Sequence, residues 1–563
     1  QKAGETRHFL DFYNGINYSR ALTSAIKSTG SFKIMSTGRV QGPALKIIVD
    51  KEKEIRGFKS IPFWQIQLLC RISGQEIEAF HKQDKFWDKN ASDEIYNKIK
   101  NEKKGIITRT EKKKIIQNPP VPFDLTTLQI ETYRCLGIQP NVTLSLAQEL
   151  YTSGYISYPR TSSQQLPSTI GYEKIIREFL ETQNYNRHAN LLLSKTSLTP
   201  NNGKKTDPAH PAIFPTGIIP AIEGRQEKLY DLIVKRFFAV FGDPAIRQSV
   251  SIVMDVKGEE FIASGVSTLE KGWHVLYEPY VKLEEKELPN VSNGDEVIVN
   301  KLNLLDKETQ PPRRYTPASI IKELEKRNLG TKATRSEIVE TLYKRGYVHS
   351  QSISATELGI KTIEALEKHC PKIIDEELTR HFEMEMEEIR EDKKNTEEVL
   401  EEAKGAIIKI IEDFKSHEKD IGVELLSAER ETQRINSFLG KCPKCNDGEI
   451  YIRKTKKSMF AGCNKYPECK TIYSLPKNTS IKSTNKQCEK CSSPIIEVVR
   501  NKRKQELCVN SSCESKQLIQ DNEKVDTQCP KCKEGKLLIR NSIYGSFLGC
   551  SQYPKCRHTE SVG

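Results

Sequence analysis

Twelve of the 15 cysteines in the chain lie from residue 442 onward, and their spacing repeats. Cys442-Pro-Lys-Cys445 is followed by Cys463 and Cys469 across gaps of 17 and five residues, and Cys529-Pro-Lys-Cys532, Cys550 and Cys556 repeat those gaps. Cys488, Cys491, Cys508 and Cys513 form a variant with gaps of two, 16 and four. Two such knuckles brought together by a hairpin place four thiolates tetrahedrally, the arrangement of a structural Zn²⁺ site in which sulfur leaves no position open for a substrate. Segments this short cannot bury a sufficient core, so metal must supply much of their folding free energy, on the order of 10 kcal/mol each. Three zinc ribbons are therefore expected, at 437–476, 484–518 and 525–563. Cys70, Cys135 and Cys370 are scattered singly, and the crowding of the rest reads as metal binding in a reducing compartment rather than as disulfides. Lysines and the rings of Tyr466 and Tyr553 suit contact with a single nucleic-acid strand by charge and stacking, although packing over the knuckle explains those rings equally well.

At 563 residues the chain is too long for one core. With 88 basic and 75 acidic residues it carries a formal charge of +13, which favours an anionic partner such as nucleic acid. No apolar run reaches membrane-spanning length, and the opening QKAGETRHFLDF lacks the shape of a signal peptide, so a cytoplasmic protein without a membrane partner is expected. The first methionine is Met35, so either processing has occurred or the sequence is a piece of a longer protein.

Residues 1–60 read as helical. The strand-like run FWQIQLLCRI opens a β-rich segment, 61–124, and a second follows at 248–310; between them 125–247 reads as mainly helical. Two β-segments bracketing a helical one are what an interrupted domain looks like. Within 311–436, Thr316 stands as N-cap before Pro317, and Thr334-Arg-Ser-Glu337 has capping-box spacing, giving a helix-turn-helix shape closed by Gly346. The Glu/Lys-rich run from about 375 to 417 reads as one long solvated helix.

The stretch SGYISYPRTSSQQLP, Ser153 to Pro167, puts Tyr151, Tyr155 and Tyr158 close to Arg160. A phenol ordinarily loses its proton near pH 10, so a nucleophilic tyrosine needs help, and a guanidinium can steady the phenolate or hold a phosphate under attack. Tyr158 is the best placed, because Pro159 biases it toward an extended backbone from which Arg160 projects to the same side. On composition alone, a structural tyrosine is the simpler account.

The segment YTSGYISYPRTSSQQLP resembles the active-site segment of type IA DNA topoisomerases, with a spelling closer to archaeal members. The run MSTGRVQG is similar to the family's DNA-binding segment, AHPAIFPTG to a second active-site segment, and RRYTPASIIKELEKRNLGTKATRSEIVETLYKRGYV to its helix-turn-helix segment. The resemblance implies Tyr158 as nucleophile, Arg160 as its phosphate and phenolate partner, and His210 near the scissile phosphate. It implies DNA contacts at Arg7, His8, Asp11, Ser36, Thr37, Gly38, Arg39, Val40, Gln41, Thr334 and Arg345. The fold class implied is multidomain α+β: a toroidal core with helical domains and a β-rich gate arch, followed by the three ribbons. The activity implied is ATP-independent breakage, passage and rejoining of single DNA strands through a 5′-phosphotyrosine intermediate. It would relax negatively supercoiled DNA, act on single strands and work as a monomer associated with the nucleoid. The family also carries an N-terminal Toprim domain whose acids bind Mg²⁺; no Asp-x-Asp occurs here, so a fragment lacking those acids, inactive alone, is expected. A non-catalytic single-stranded DNA-binding protein would need only the basic helices and the ribbons.

Overall fold

The computed structural model of the chain describes residues 2–561 apart from 446, 456–457, 477–478, 501–502, 517–526, 543–544 and 554. The expected ribbon edges at 518 and 525 lie outside the described residues. Two compact units are present, Gln1–Gly422 and Val423–Gly563, and the division falls inside the segment expected at 311–436.

In the first unit, strands β1 (Pro62–Ile72), β2 (Gln75–His81), β3 (Lys104–Gln117), β4 (Ala245–Val256), β5 (Glu259–Glu270) and β6 (Glu296–Glu308) close an antiparallel barrel in the order β1-β2-β5-β4-β3-β6. Alternation explains the filling of the barrel: Ile66, Leu68, Cys70 and Ile72 on β1 all point inward, where they meet Ile252, Met254, Phe261 and Val297. β3 and β4 pair along their length, from Ile106↔Asp255 to Gln117↔Ala245. The chain between them, 118–244, therefore leaves and re-enters the barrel at adjacent points. It forms a helical body around Phe123, Leu150, Ile156, Phe179 and Phe238, into which Tyr277 from the segment after β5 also packs.

The remaining helices of this unit gather the other motifs. Lys2–Ser28 and Gln41–Gly57 are separated by a non-helical stretch that carries Ser36–Arg39. Leu10 packs on Phe382, Met386, Ile389 and Val399 from much later in the chain. Thr316 caps Pro317–Lys326 in a capping box with Ser319. The second capping box does not form: Thr334 begins Arg335–Lys344 without a side-chain cap, because its hydroxyl turns back to the N–H of Thr331 at 3.0 Å. The run expected as one helix from about 375 to 417 is two, Glu376–Arg390 and Thr396–Ser416. Asp392 adopts φ 54° between them, and the Asn395 side chain accepts from Glu397 N–H at 3.2 Å to start the second.

The helix Gln41–Gly57 is tied to the later segment through Glu52, whose carboxylate is 4% exposed. Arg314 donates to both of its oxygens at 2.9 Å, Arg56 lies at 3.4 Å and the Ser354 hydroxyl donates at 3.3 Å. The Arg314 fork holds the Glu52 carboxyl below the usual carboxylate range against the cost of burial.

In the second unit, Phe438–Lys441, Glu449–Lys454, Met459–Cys463 and Ile472–Ser474 form one sheet, and Ser480–Gln487, Pro494–Arg500 and Arg503–Cys508 form another. These first two ribbons share a core: Leu439, Ile450 and Ala461 join Ile496, Val498 and Leu507. Leu537–Ser542, Gly545–Cys550 and Thr559–Ser561 make the third sheet.

Arg314→Met should cost about 2–3 kcal/mol, less than a fully buried pair because Arg314 is 35% exposed and Arg56 remains. A depressed carboxyl pKa stabilises the fold above the ordinary carboxylate range and ceases to do so as acid protonates it. Paired thermal melts should therefore show the full deficit at pH 7 and a shrinking one below about pH 4.

Candidate functional site

The helix Pro140–Thr152 ends in a Schellman arrangement: Gly154 takes φ 78°, Tyr155 N–H donates to Leu150 C=O at 2.9 Å, and the chain turns sharply out of the helix. It then runs beside the segment carrying His210. Ser157 N–H donates to Phe214 C=O at 2.9 Å, the Ser157 hydroxyl to Ala212 C=O at 3.2 Å, and Thr216 N–H to Tyr155 C=O at 3.0 Å. Farther along, the Thr161 hydroxyl donates to His210 C=O at 3.2 Å and Ala212 N–H to Gln165 C=O at 2.9 Å. Buried Ile156 and Thr161 anchor the two ends of the exit, and half-buried Tyr158 and Arg160 stand between them.

Tyr158 lies between two rings. His210 is 4.5 Å away, tilted at 47°, and Tyr151 is 5.2 Å away and edge-on at 72°. Arg160 Nε is buried and has no hydrogen-bond partner. A guanidinium N–H withdrawn from water without an acceptor is costly, so this donor, two residues from Tyr158, calls for an acceptor oxygen. Tyr158 and His210, predicted from two separate segments, thus converge, with Arg160 two residues from the tyrosine.

The predicted strand contacts gather elsewhere in the same unit. Asp11, Thr37, Gly38, Arg39, Val40, Gln41, Thr331 and Thr334 line one cavity of about 270 Å³. Gln41 donates to Ser36 C=O at 3.0 Å and to its hydroxyl at 2.9 Å, while Tyr347 bridges Ser36 at 2.9 Å. Arg39 is only 4% exposed; it pairs with Asp11 at 2.8 Å and Glu383 at 2.9 Å. Arg7 shares Glu383 at 2.5 Å, His8 is exposed, and Arg345 makes no ion pair among the described residues. A DNA phosphate would therefore have to displace a carboxylate to reach Arg39, whereas Arg345 is available as it stands.

Two carboxylates in these arrangements, Asp207 and Glu383, went unread in the sequence. Asp207 accepts from Ser162 N–H at 3.1 Å, from the Ser162 hydroxyl at 3.0 Å and from Ala209 N–H at 3.1 Å, and it is salt-bridged to Lys332. Partial burial works against ionisation, but Lys332 and these donors hold it well below the usual carboxylate range. The local signal was an aspartate three residues before His210, the spacing at which its side chain can cap the turn that presents the ring.

The four sulfurs of each ribbon lie within 4.8 Å of one another. Pairs stand at 3.8 Å (Cys442–Cys469), 3.6 Å (Cys445–Cys463), 3.6 Å (Cys488–Cys513), 3.4 Å (Cys491–Cys508), 3.8 Å (Cys529–Cys556) and 3.5 Å (Cys532–Cys550). Tetrahedral Zn–S bonds of about 2.3 Å require sulfur edges of about 3.8 Å, so all three sets fit zinc. Gly448 leaves the space: a Cβ there would stand 2.4 Å from Cys445 Sγ, and one at Gly535 would stand 2.6 Å from Cys550 Sγ. The hydroxyl of Thr471 draws Cys469 down to about 6 while desolvation pushes Cys445 up to about 12, as expected where four crowded sulfurs cannot all ionise without a cation. His381, Glu385 and Glu402 form a fourth cluster, but Lys394 already neutralises its buried Glu385.

A family profile described as DNA topoisomerase matches residues 1–401, and one described as topoisomerase DNA binding C4 zinc finger matches 439–478 and 526–562. The DNA topoisomerase 1 of Methanocaldococcus jannaschii is 45% identical over 563 residues, covering 100% of this chain and 72% of that protein. The chain belongs to the type IA DNA topoisomerases. That of Methanothermobacter thermautotrophicus is 42% identical over 567 residues, covering 100% of this chain and 76% of its own. The solved full-length topoisomerase I of Thermotoga maritima has the same fold, with a TM-score of 0.58 and 24% identity over 85% of this chain and 77% of that one. The middle cysteine set lies outside the matched zinc-finger stretches, yet its sulfurs are as close as those of its neighbours. No described helix of this topoisomerase is long and apolar enough to cross a membrane.

Elemental analysis should find about three zinc ions per chain. Cys491→Ser should remove about one of them, and Gly448→Ala should lower zinc affinity in the first ribbon without touching a ligand. A stoichiometry near zero after gentle purification would rule the ribbons out.

Proposed function

We propose that this chain breaks and rejoins single DNA strands through an ester on Tyr158, relaxing negatively supercoiled DNA as a monomer in the cytoplasm, on the nucleoid. The observation that carries the proposal is the buried, unpartnered Arg160 Nε beside the Tyr158–His210 pair. Tyr158 Oη attacks phosphorus, the bond to the 3′-oxygen breaks, and the phenolic proton ends on that departing oxygen. The 5′ side stays on the tyrosine while a second strand passes, and the 3′-hydroxyl then reverses the step. One phosphate ester replaces another of similar energy, so no ATP is consumed. Arg160 is suited to hold the phosphate and the charge that develops on it, and His210 to bind a phosphate oxygen from the other side.

The groove formed by Ser36–Gln41 with Thr331 and Thr334 suits the backbone of one strand. Arg345 adds charge, and Arg39 becomes available once Asp11 or Glu383 gives way. Such binding has little base preference and weakens steeply with salt. Exposed Tyr466 and Tyr553, at 74% and 60%, offer stacking surfaces to single-stranded DNA.

The family's Mg²⁺ does not fit the residues beside Tyr158. Asp207 is saturated by Lys332 and its hydrogen-bond donors, and no group of three carboxylate or histidine ligands stands there among the described residues.

The chain, with Mg²⁺ and a family Toprim segment supplied, is incubated with a single-stranded oligonucleotide and denatured. A covalent adduct should appear, and Tyr158→Phe should abolish it while leaving binding intact. Arg160→Ala should lower its rate of formation about 10²-fold or more. An adduct that survives Tyr158→Phe would sink the reading. Absence of any adduct, with tight salt-sensitive binding, would favour a non-catalytic DNA-binding protein.

A further inference from the structure

We propose that Asp207 is the positioning residue that sets Arg160 and His210 against Tyr158, and that Lys332 ties this assembly to the turn lining the strand groove. The inference rests on the reading of Tyr158 as nucleophile and goes beyond it.

The backbone contacts that dock the tyrosine segment on the histidine segment stop at Ser157 and resume at Gln164 and Gln165. The residues that do the chemistry lie in that interval, where proline at 159 removes one donor. Besides the Thr161 hydroxyl, a long 3.4 Å contact from the Ser162 hydroxyl to Thr206 C=O and the Tyr158–His210 ring contact, the two segments are joined there by one carboxylate. Asp207 Oδ2 accepts from the N–H and hydroxyl of Ser162, two residues beyond Arg160. Oδ1 accepts from Ala209 N–H at 3.1 Å and His210 N–H at 3.3 Å, fixing the turn that presents the imidazole. Moving this side chain would shift the guanidinium and the imidazole together.

The same oxygens exclude other roles. Four donors and an ammonium occupy them, so Asp207 has no free lone pair with which to take a proton from Tyr158 or to ligate a metal. Lys332 reaches it from a turn 125 residues later in the chain, between Thr331 and Thr334, both of which line the groove. A neutral hydrogen-bonding side chain could cap the His210 turn, but only an anion draws in Lys332. The charge therefore joins the strand-binding turn to the site of attack.

Asp207→Asn, Asp207→Ala and Lys332→Met are to be compared in the adduct assay, with Mg²⁺ and the Toprim segment supplied. The rate at saturating oligonucleotide should fall about 10²-fold for the two Asp207 variants and about tenfold for Lys332→Met. Dissociation constants for the same oligonucleotide should stay within twofold, because the Asp207 oxygens are fully engaged within the protein. Hydrogen exchange at the Ser162 and His210 amides should quicken in Asp207→Ala, a readout independent of catalysis. Wild-type rates in Asp207→Asn and Lys332→Met, or losses of rate matched by equal losses of binding, would overturn the proposal. Lys332 is 31% exposed, so its variant keeps the test decisive if an Asp207 variant misfolds. An adduct formed by Tyr158→Phe would instead overturn the underlying assignment of the nucleophile.

Discussion

The first unit is held together at its functional end by carboxylates, buried at Glu52 and half-buried at Glu383 and Glu325, each shared among segments far apart in the chain. Glu52 binds Arg314 and Ser354 to the helix Gln41–Gly57, and Glu383 gathers Arg7 and Arg39 from the N-terminal region. Glu325 takes Lys205 at 2.9 Å and the Thr126 hydroxyl at 3.1 Å. A carboxylate withdrawn from water is costly unless paired, so Glu52 above all specifies several partners at once and penalises any arrangement that leaves one out. The groove and the tyrosine loop inherit their geometry from that requirement.

How legible the architecture is in the sequence depends on the range of the force that sets each part. The alternation of FWQIQLLCRI reads as strand because burial on one face has a period of two, and the Thr316-Pro317 start reads as helix because a cap is a local bond. Gly154 marks a helix end for the same reason. Thr334 misleads: its spacing to Glu337 suits a capping box, but Thr331 three residues earlier competes for the hydroxyl. Asp392 and Asn395 divide a run whose charge pattern alone looks continuous, because one left-handed residue outweighs the helix propensity around it. The approach of His210 to Tyr158 could be inferred only by resemblance, and the Asp207–Lys332 pair, bridging 125 residues, had no periodicity to announce it.

The ribbons obey a different economy of forces. Their few apolar residues, such as Leu439, Ile450 and Ile496, form a core too small to hold the sheets, and the sulfur tetrahedra make up the difference. This explains why a glycine is needed at 448 and 535: the backbone must pass so close to the thiolates that even a methyl group would collide. The shared core of the first two ribbons makes them one folding piece, so loss of metal from either should weaken both.

The pairing of Gln117 with Ala245 carries a mechanical consequence. The body that bears the phenol meets the barrel at more than one place: β3 and β4 enter it side by side, and the chain after β5 packs Trp273, Tyr277 and Tyr280 into its core. Several adjacent attachments resist torque where one would not, so the body keeps one facing toward the barrel. The phenol it carries thereby keeps a fixed bearing toward the sheet that holds it.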